Sequence, residues 1–235
     1  MSEIEKLIKL GQTGNKENKR LDFKSDFDYE DSSHRLKLIK HIVAMANTQG
    51  GIIVFGVEDN GKAVSFSNKN ILNIDTADLV DQIHKYTNTE FDSFVIKEIK
   101  RGQSKKAALI IPFSEDLIVF SKQGQYNFRN KNKLHFEKGD LYFRHGSKSE
   151  KCNAQDLARR IEASRSKERK EWGSIFSKVA QVGPSSVGIL DTVGGTIEGH
   201  KKSIIIDESL LPKLKFIQEG NFTKKGSQPL GSSVT

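Results

Sequence analysis

At 235 residues, with a net charge of +8 and a pI near 9.4, the chain is long enough for one well-packed domain with an extension, or for two small domains. No apolar run approaches the ~20 residues of a membrane helix, Met1-Ser2-Glu3 opens no signal peptide, and the lone Cys152 excludes an internal disulfide or a structural zinc site, so a cytoplasmic protein is expected. Residues 1–150 hold 24 Lys/Arg against 21 Asp/Glu (+3) and residues 151–235 hold 14 against 9 (+5), so the basic excess sits late and favours a polyanionic partner, nucleic acid first.

In chain order, apolar residues at 4, 7, 8 and 10 predict a short amphipathic helix over 3–10, stopped at Gly11. Leu21 and Phe23 alternate with Arg20, Asp22 and Lys24, which predicts a strand. An acid flanked by bases on one strand face ordinarily marks a solvated face. Asp31-Ser32-Ser33 offers N-caps for a helix over 35–46, whose apolar positions 36, 39, 42, 43 and 46 repeat every 3.6 residues. Asn47 to Gly51 ends that helix, with Gly50 and Gly51 as a hinge. The run 52–55 is apolar on both faces and predicts a central strand covered on each side. Glu58 and Asp59 then enter an Asn60-Gly61 turn of the hairpin kind.

Asp75 or Thr76 caps a helix carrying Leu79, Val80, Ile83 and Tyr86. Residues 94–99, 107–112 and 117–120 read as strands, with turns at Gly124-Gln125 and Lys131-Asn132-Lys133. A further strand over 141–144 ends at His145-Gly146-Ser147. Asn153, three residues before Asp156, opens a long helix with Leu157 and Ile161 inward. It runs on through Arg159, Arg160, Arg165, Lys167, Arg169 and Lys170, interleaved with Glu162, Glu168 and Glu171. That pattern reads either as a solvated face of i,i+4 pairs or as a phosphate-contacting helix.

Composition shifts near Gly173, dividing a main domain over 1–172 from a linker and extension over 173–235. Residues 183–199 are rich in Gly, Ser and Thr; 202–207 reads as a strand, 210–217 as a helix or strand, and 221–235 as frayed. The run from Gly194 to Ser203 nearly spells a phosphate-binding loop. His200 takes the position of its lysine, however, and a β-type run follows in place of a helix. No nucleotide cofactor is favoured.

Four blocks carry a resemblance: Glu17 followed by Asp22-Phe23-Lys24; Ala44-Met45-Ala46-Asn47-Thr48-Gln49-Gly50-Gly51; Gly56-Val57-Glu58-Asp59-Asn60-Gly61; and Leu141-Tyr142-Phe143-Arg144-His145-Gly146-Ser147. Together they resemble the Schlafen-type AlbA-like domain, long labelled a divergent AAA-type or putative DNA-binding domain, over about residues 3–164. The expected fold is α+β, a mixed sheet with flanking helices on one side, followed by a short C-terminal extension.

In the nuclease branch of that family three acids form the active site, and they fall here on Glu17, Asp22 and Asp59. The resemblance implies metal-dependent cleavage of structured RNA such as tRNA, with Mg²⁺ or Mn²⁺ held by those three carboxylates. It also implies RNA as a partner in preference to DNA, and Lys24, next to Asp22, is expected as a phosphate contact or a catalytic charge stabiliser. Arg144, Arg159, Arg160 and Arg165 are then expected to position the nucleic-acid backbone. Asp22 stands where the family pattern usually has Glu, so its carboxylate reaches one methylene less far, and Mg²⁺ is strict about ligand distances. Animal relatives build their groove from two such lobes, so a homodimer is expected of this single lobe. The blander readings are surface pairing of Glu17 and Asp22 with Lys19, Arg20 or Lys24, and an ordinary turn role for Asp59. The alternative function is a non-catalytic nucleic-acid-binding or regulatory module.

Overall fold

The structure is a computed structural model that describes residues 2–182 and the backbone of 187–190, 197–198 and 203–204. The chain divides into two compact units, 1–160 and 161–235.

The first unit opens with α1 (Glu3–Thr13), closed at its start by a reciprocal cap between Ser2 and Glu5. The helix does not stop at Gly11. It runs on to Thr13 because Gly11 is where α1 presses on the sheet: a Cβ there would lie 2.6 Å from Ile52 Cδ1. β1 (Leu21–Lys24) follows, then α2 (Ser32–Thr48), whose first amides at Ser33 and His34 are capped by Asp31. α2 carries the chain back to β2 (Gly51–Phe55), which pairs in parallel with β1, as parallel neighbours require a crossover. The hinge reading of Gly50 agrees with its φ of +68° and with a Cβ that would meet the Ile111 carbonyl at 2.6 Å. Asn47 is no cap. It is buried within α2, accepting from Ile118 N and donating to the Ile118 and Tyr142 carbonyls.

After the short α3 (Lys69–Leu72), α4 (Thr76–Thr87) is capped by Asp75. β3 (Val95–Arg101) and β4 (Ser104–Ile111) complete a sheet of order β1-β2-β4-β3, antiparallel except for β1 and β2. Residues 117–120 form no strand, although Ile118 and Phe120 are buried. The two stretches expected to be turns are strands: β5 (Gly124–Phe128) and β6 (Lys131–Phe136) make a hairpin that turns at Arg129-Asn130. β7 (Tyr142–His145) and β8 (Lys148–Lys151) make a second hairpin.

The alternation along β2 explains the layers. Ile53 and Phe55 join Leu36, Ile39, Ile42 and Leu109 in a core under α2 and α4, while Ile52 and Val54 join Leu7, Leu21, Phe23 and Ile110 under α1. Helices therefore cover both faces, not one, because β2 is apolar on both and each face needs its own cover. Burying each of these large side chains contributes about 1.5–3 kcal/mol.

α5 (Ala154–Val182) starts at a reciprocal cap in which Asn153 and Asp156 each accept from the other's backbone N–H, and it runs unbroken through Gly173. Leu157 and Ile161, expected inward, are exposed. In the second unit β9 (Val187–Leu190) pairs with β10 (Ile197–Glu198) and β11 (Ser203–Ile204). The segments 210–217 and 221–235, and most of the near-phosphate loop, lie outside the described residues. Among the described residues no helix is long and apolar enough to cross a membrane.

Candidate functional site

Where β1, α2 and the β7–β8 hairpin meet, an open cleft of about 460 Å³ is lined by Glu17, Asp22, Lys24, Lys37, His41, Asp59 and residues 147–150. Strand alternation makes the site possible. Leu21 and Phe23 fill the α1 core, so Asp22 between them points to the other face, toward α2 and β7. That face is not solvated, since Asp22 is only 2 % exposed. Its Oδ1 accepts from Arg144 Nη2 at 3.0 Å and its Oδ2 from Lys24 Nζ.

Arg144 is the largest fully buried side chain in the described chain. Its guanidinium also reaches Ser149 Oγ, the Asn18 carbonyl and His41 Nδ1, each at 3.3 Å, and its backbone N–H donates to Thr48 Oγ1. Burial disfavours a charge at Asp22, but the flanking His41, Lys24 and Arg144 hold its carboxyl below the ordinary range. His41 is itself driven far below its ordinary value by burial, with Lys24 and Arg144 adding to the effect. The ring is therefore neutral at pH 7, and the two fixed cations are what keep Asp22 ionised. His41 Nδ1 takes hydrogen bonds from Ser149 and Arg144, which leaves Nε2 as the protonated nitrogen. Nε2 and Arg144 Nε are buried without a partner.

The other two acids arrive on loops. Glu17, between α1 and β1, accepts from Phe23 N at 2.8 Å. Burial raises its carboxyl above the ordinary value, and the charges of Asp22 and Asp59 push the same way. Asp59 is exposed on the turn after β2, which doubles back through a Val57–Ala63 bridge. One arginine holds both loops: Arg101 on β3 donates to the carbonyls of Gly11, Gly14 and Gly61 and stacks over Phe23 at 4.8 Å. Arg101 thus positions the Glu17 loop against the Asp59 turn.

The three family acids and Lys24 do line one cleft. The acids do not form a metal ligand set, however. Among the described residues no three His, Cys, Asp or Glu side chains are grouped to hold a metal ion, and both Asp22 oxygens are engaged by cations. Arg144 cannot contact nucleic acid from where it lies, because the acid beneath it draws it into the core. Arg160 is half-buried, spent on the Ser114 and Glu115 carbonyls and stacked over Phe113 at 4.1 Å, so it too is occupied. Arg159 and Arg165 are exposed on α5 and are not among the residues lining the cleft.

Sequence reasoning missed Lys37, His41, Lys148, Ser149 and Arg101. Lys37 and His41 stand one turn apart on α2, beside the apolar stripe, so their i,i+4 spacing was the available signal. Arg101 had none, since its partners are backbone carbonyls far away in sequence.

A mixed sheet between helices, with a charged cleft at the end of its parallel pair, is an α+β domain built around three acids and their cations. The family model described as Schlafen, AlbA_2 matches residues 17–153, and the chain belongs to that family. The chain is also 25% identical over 236 residues, 94% of its length, to a protein of Ureaplasma parvum serovar 3 named as an uncharacterized ATP-binding protein. It spans 64% of that relative's length. A crystal structure of the DIP2311 protein from Corynebacterium diphtheriae matches with a TM-score of 0.38 at 15% identity, over 64% of this chain and 29% of that one.

Proposed function

We propose that the protein binds structured RNA in this cleft and acts as a nucleic-acid-binding module, with Lys37 and Lys148 on the phosphates and Lys24 beneath them. The observation that carries the reading is an orphaned donor. His41, which lines a cleft rimmed by exposed lysines, has its Nε2 buried without a partner, and a buried donor left unpaired costs about 1–3 kcal/mol. An anionic ligand that approaches it, directly or through water, offsets that cost. Recognition on these terms reads shape and backbone, as expected for folded RNA. Binding of labelled tRNA across a salt series tests it. Replacing Lys37 and Lys148 by Ala should weaken binding and flatten the slope of log K against log salt by about two, one per phosphate contact. Unchanged affinity and slope would remove the cleft from the reading.

The second reading is a metal-dependent endoribonuclease. It draws support from Glu17, Asp22 and Asp59 facing one cleft, where burial first, and the charges of Asp22 and Asp59 after it, raise Glu17. The ligand geometry gives it none, since among the described residues no three such side chains are grouped to hold a metal ion. Incubating tRNA with Mg²⁺ or Mn²⁺ decides the matter: products made by wild type and lost in Asp59→Ala support cleavage, and identical background from both ends it. A homodimer that sets two clefts side by side belongs to the same proposal, and a monomer by light scattering at micromolar concentration would remove that part.

The relative's name raises nucleotide binding. Against it stand the helix starts: the first amides of α1, α2, α4 and α5 are each capped by the chain's own Ser2, Asp31, Asp75 and Asn153. Calorimetric titration with ATP is the check.

A further inference from the structure

The β5–β6 hairpin has no part in the cleft, and its composition is unlike the rest of the first unit. Residues 122–138 carry Lys122, Arg129, Lys131, Lys133 and Lys138 against a single acid, Glu137. All five cations are exposed, and none has an ion-pair partner among the described residues. Glu137 is itself taken by Lys151.

Strand register sorts the side chains. Tyr126 lies opposite Lys133 and Phe128 opposite Lys131, so these four share one face. Tyr126 is anchored, half-buried against the core and stacked on His135 at 4.7 Å. Phe128, beyond it toward the tip, is 44 % exposed, with Lys133 Nζ 4.3 Å and Arg129 Cζ 5.2 Å from its ring centroid. Burial, with Lys40 and Lys37 adding, lowers His135 to about 4, so its ring is neutral at pH 7 and the lysines and arginine carry the charge.

We infer that this face of the β5–β6 hairpin is a second RNA contact, which takes a single-stranded segment by stacking a base on Phe128 and pairing its phosphates with Arg129, Lys131 and Lys133. The inference rests on the RNA reading of the cleft and adds a separate surface to it. Single-stranded nucleic acid alternates an aromatic plane with a negative charge, and sites that bind it combine aromatic platforms with cations tracking the backbone. An acidic peptide offers the charges without the plane. An anionic bilayer needs apolar side chains gathered on one face, but the two exposed apolar residues here, Phe128 and Leu134, project from opposite faces.

The test is fluorescence anisotropy of the full chain with a labelled single-stranded RNA dodecamer over a salt series, with circular dichroism to confirm folding. Arg129→Ala/Lys131→Ala/Lys133→Ala should lower the log–log salt slope by about two, at ~0.7 per single-strand phosphate. Phe128→Ala should weaken binding about 5- to 150-fold, the range for stacking on one ring, with the slope kept. Lys37→Ala/Lys148→Ala runs beside them. If the hairpin variants bind as wild type while the cleft variant does not, the hairpin inference is overturned and the cleft reading stands. If the hairpin variants lose the dodecamer and the cleft variant keeps it, the hairpin stands, and the cleft falls only if the cleft variant also binds tRNA as wild type does. Absence of any RNA binding by wild type overturns both. Tighter, hairpin-dependent binding of single-stranded DNA, of poly-glutamate or of anionic vesicles overturns RNA as the occupant.

Discussion

Arg144 and the Arg129–Lys133 cluster are made of the same chemistry and do opposite things. Arg144 sits in a family motif, yet it is buried, paired with Asp22 and linked to His41, Ser149, Asn18 and the Thr48 hydroxyl of α2. The hairpin cations sit in no motif, are exposed, and have no acid to hold them. What separates them is the supply of carboxylates within reach. A cation beside a buried acid becomes part of the frame, whereas one without an acid keeps its charge for something else.

The sharpest way to break this comparison is Arg144→Met, which leaves Asp22 buried and half compensated. It should cost about 3–5 kcal/mol by urea denaturation. Asp22→Asn combined with Arg144→Met should recover much of that loss, because the charge is removed together with its partner. A loss close to the sum of the two single changes would show that the pair is not coupled. Arg101→Met should cost about 2 kcal/mol through its lost bonds to the Gly11, Gly14 and Gly61 carbonyls. It should also raise protease sensitivity in the Glu17 loop and the Asp59 turn.

Acidity probes the frame next. His41 has a folded value far below 6.5, so below about pH 6.5 the unfolded chain takes a proton that the folded ring refuses, and stability falls. Asp22, held low, adds a further loss only as pH drops below the ordinary aspartate range. His145, clamped between Glu150 and Asp156, is raised. Its contribution is complete below about pH 6.5 and is lost as pH climbs through the folded value, by less than about 1 kcal/mol at this part-exposed site. Thermal melts at a series of pH values, on wild type, His41→Gln and His145→Gln, separate the two signs. The smallest expected change is in the hairpin: the Arg129, Lys131 and Lys133 alanine variant should stay within about 0.5 kcal/mol of wild type, and a larger loss would make those cations structural.

Local pattern carried far in this chain. The strand at 52–55, the caps at Asp31, Asp75 and Asn153 and the hinge at Gly50 were legible because each depends on neighbours a few residues away, whereas the three acids of one cleft came from the family resemblance and not from local pattern. What escaped depended on partners far along the chain. Asp22 read as solvated because Arg144, 122 residues later, cannot be inferred from its flanks. Gly11 read as a helix stop because the sheet it presses on had not yet been written. The β5–β6 strands read as turns because their Gly, Asn and Lys residues are turn formers, and only pairing made them strands. Counting charge by halves also averaged away a segment with five cations and one acid.

The Asp22–Arg144 pair carries a consequence for synthesis. β1 and β2 are complete by Phe55, yet one of the two cations that secure the acid on β1 belongs to β7. A nascent chain that has emerged only as far as β4 holds the sheet with Asp22 paired to Lys24 and short of Arg144. Cooperative closure therefore waits for the last hairpin of the first unit, and a truncation before residue 144 should populate a loose, protease-sensitive intermediate where slightly longer chains fold.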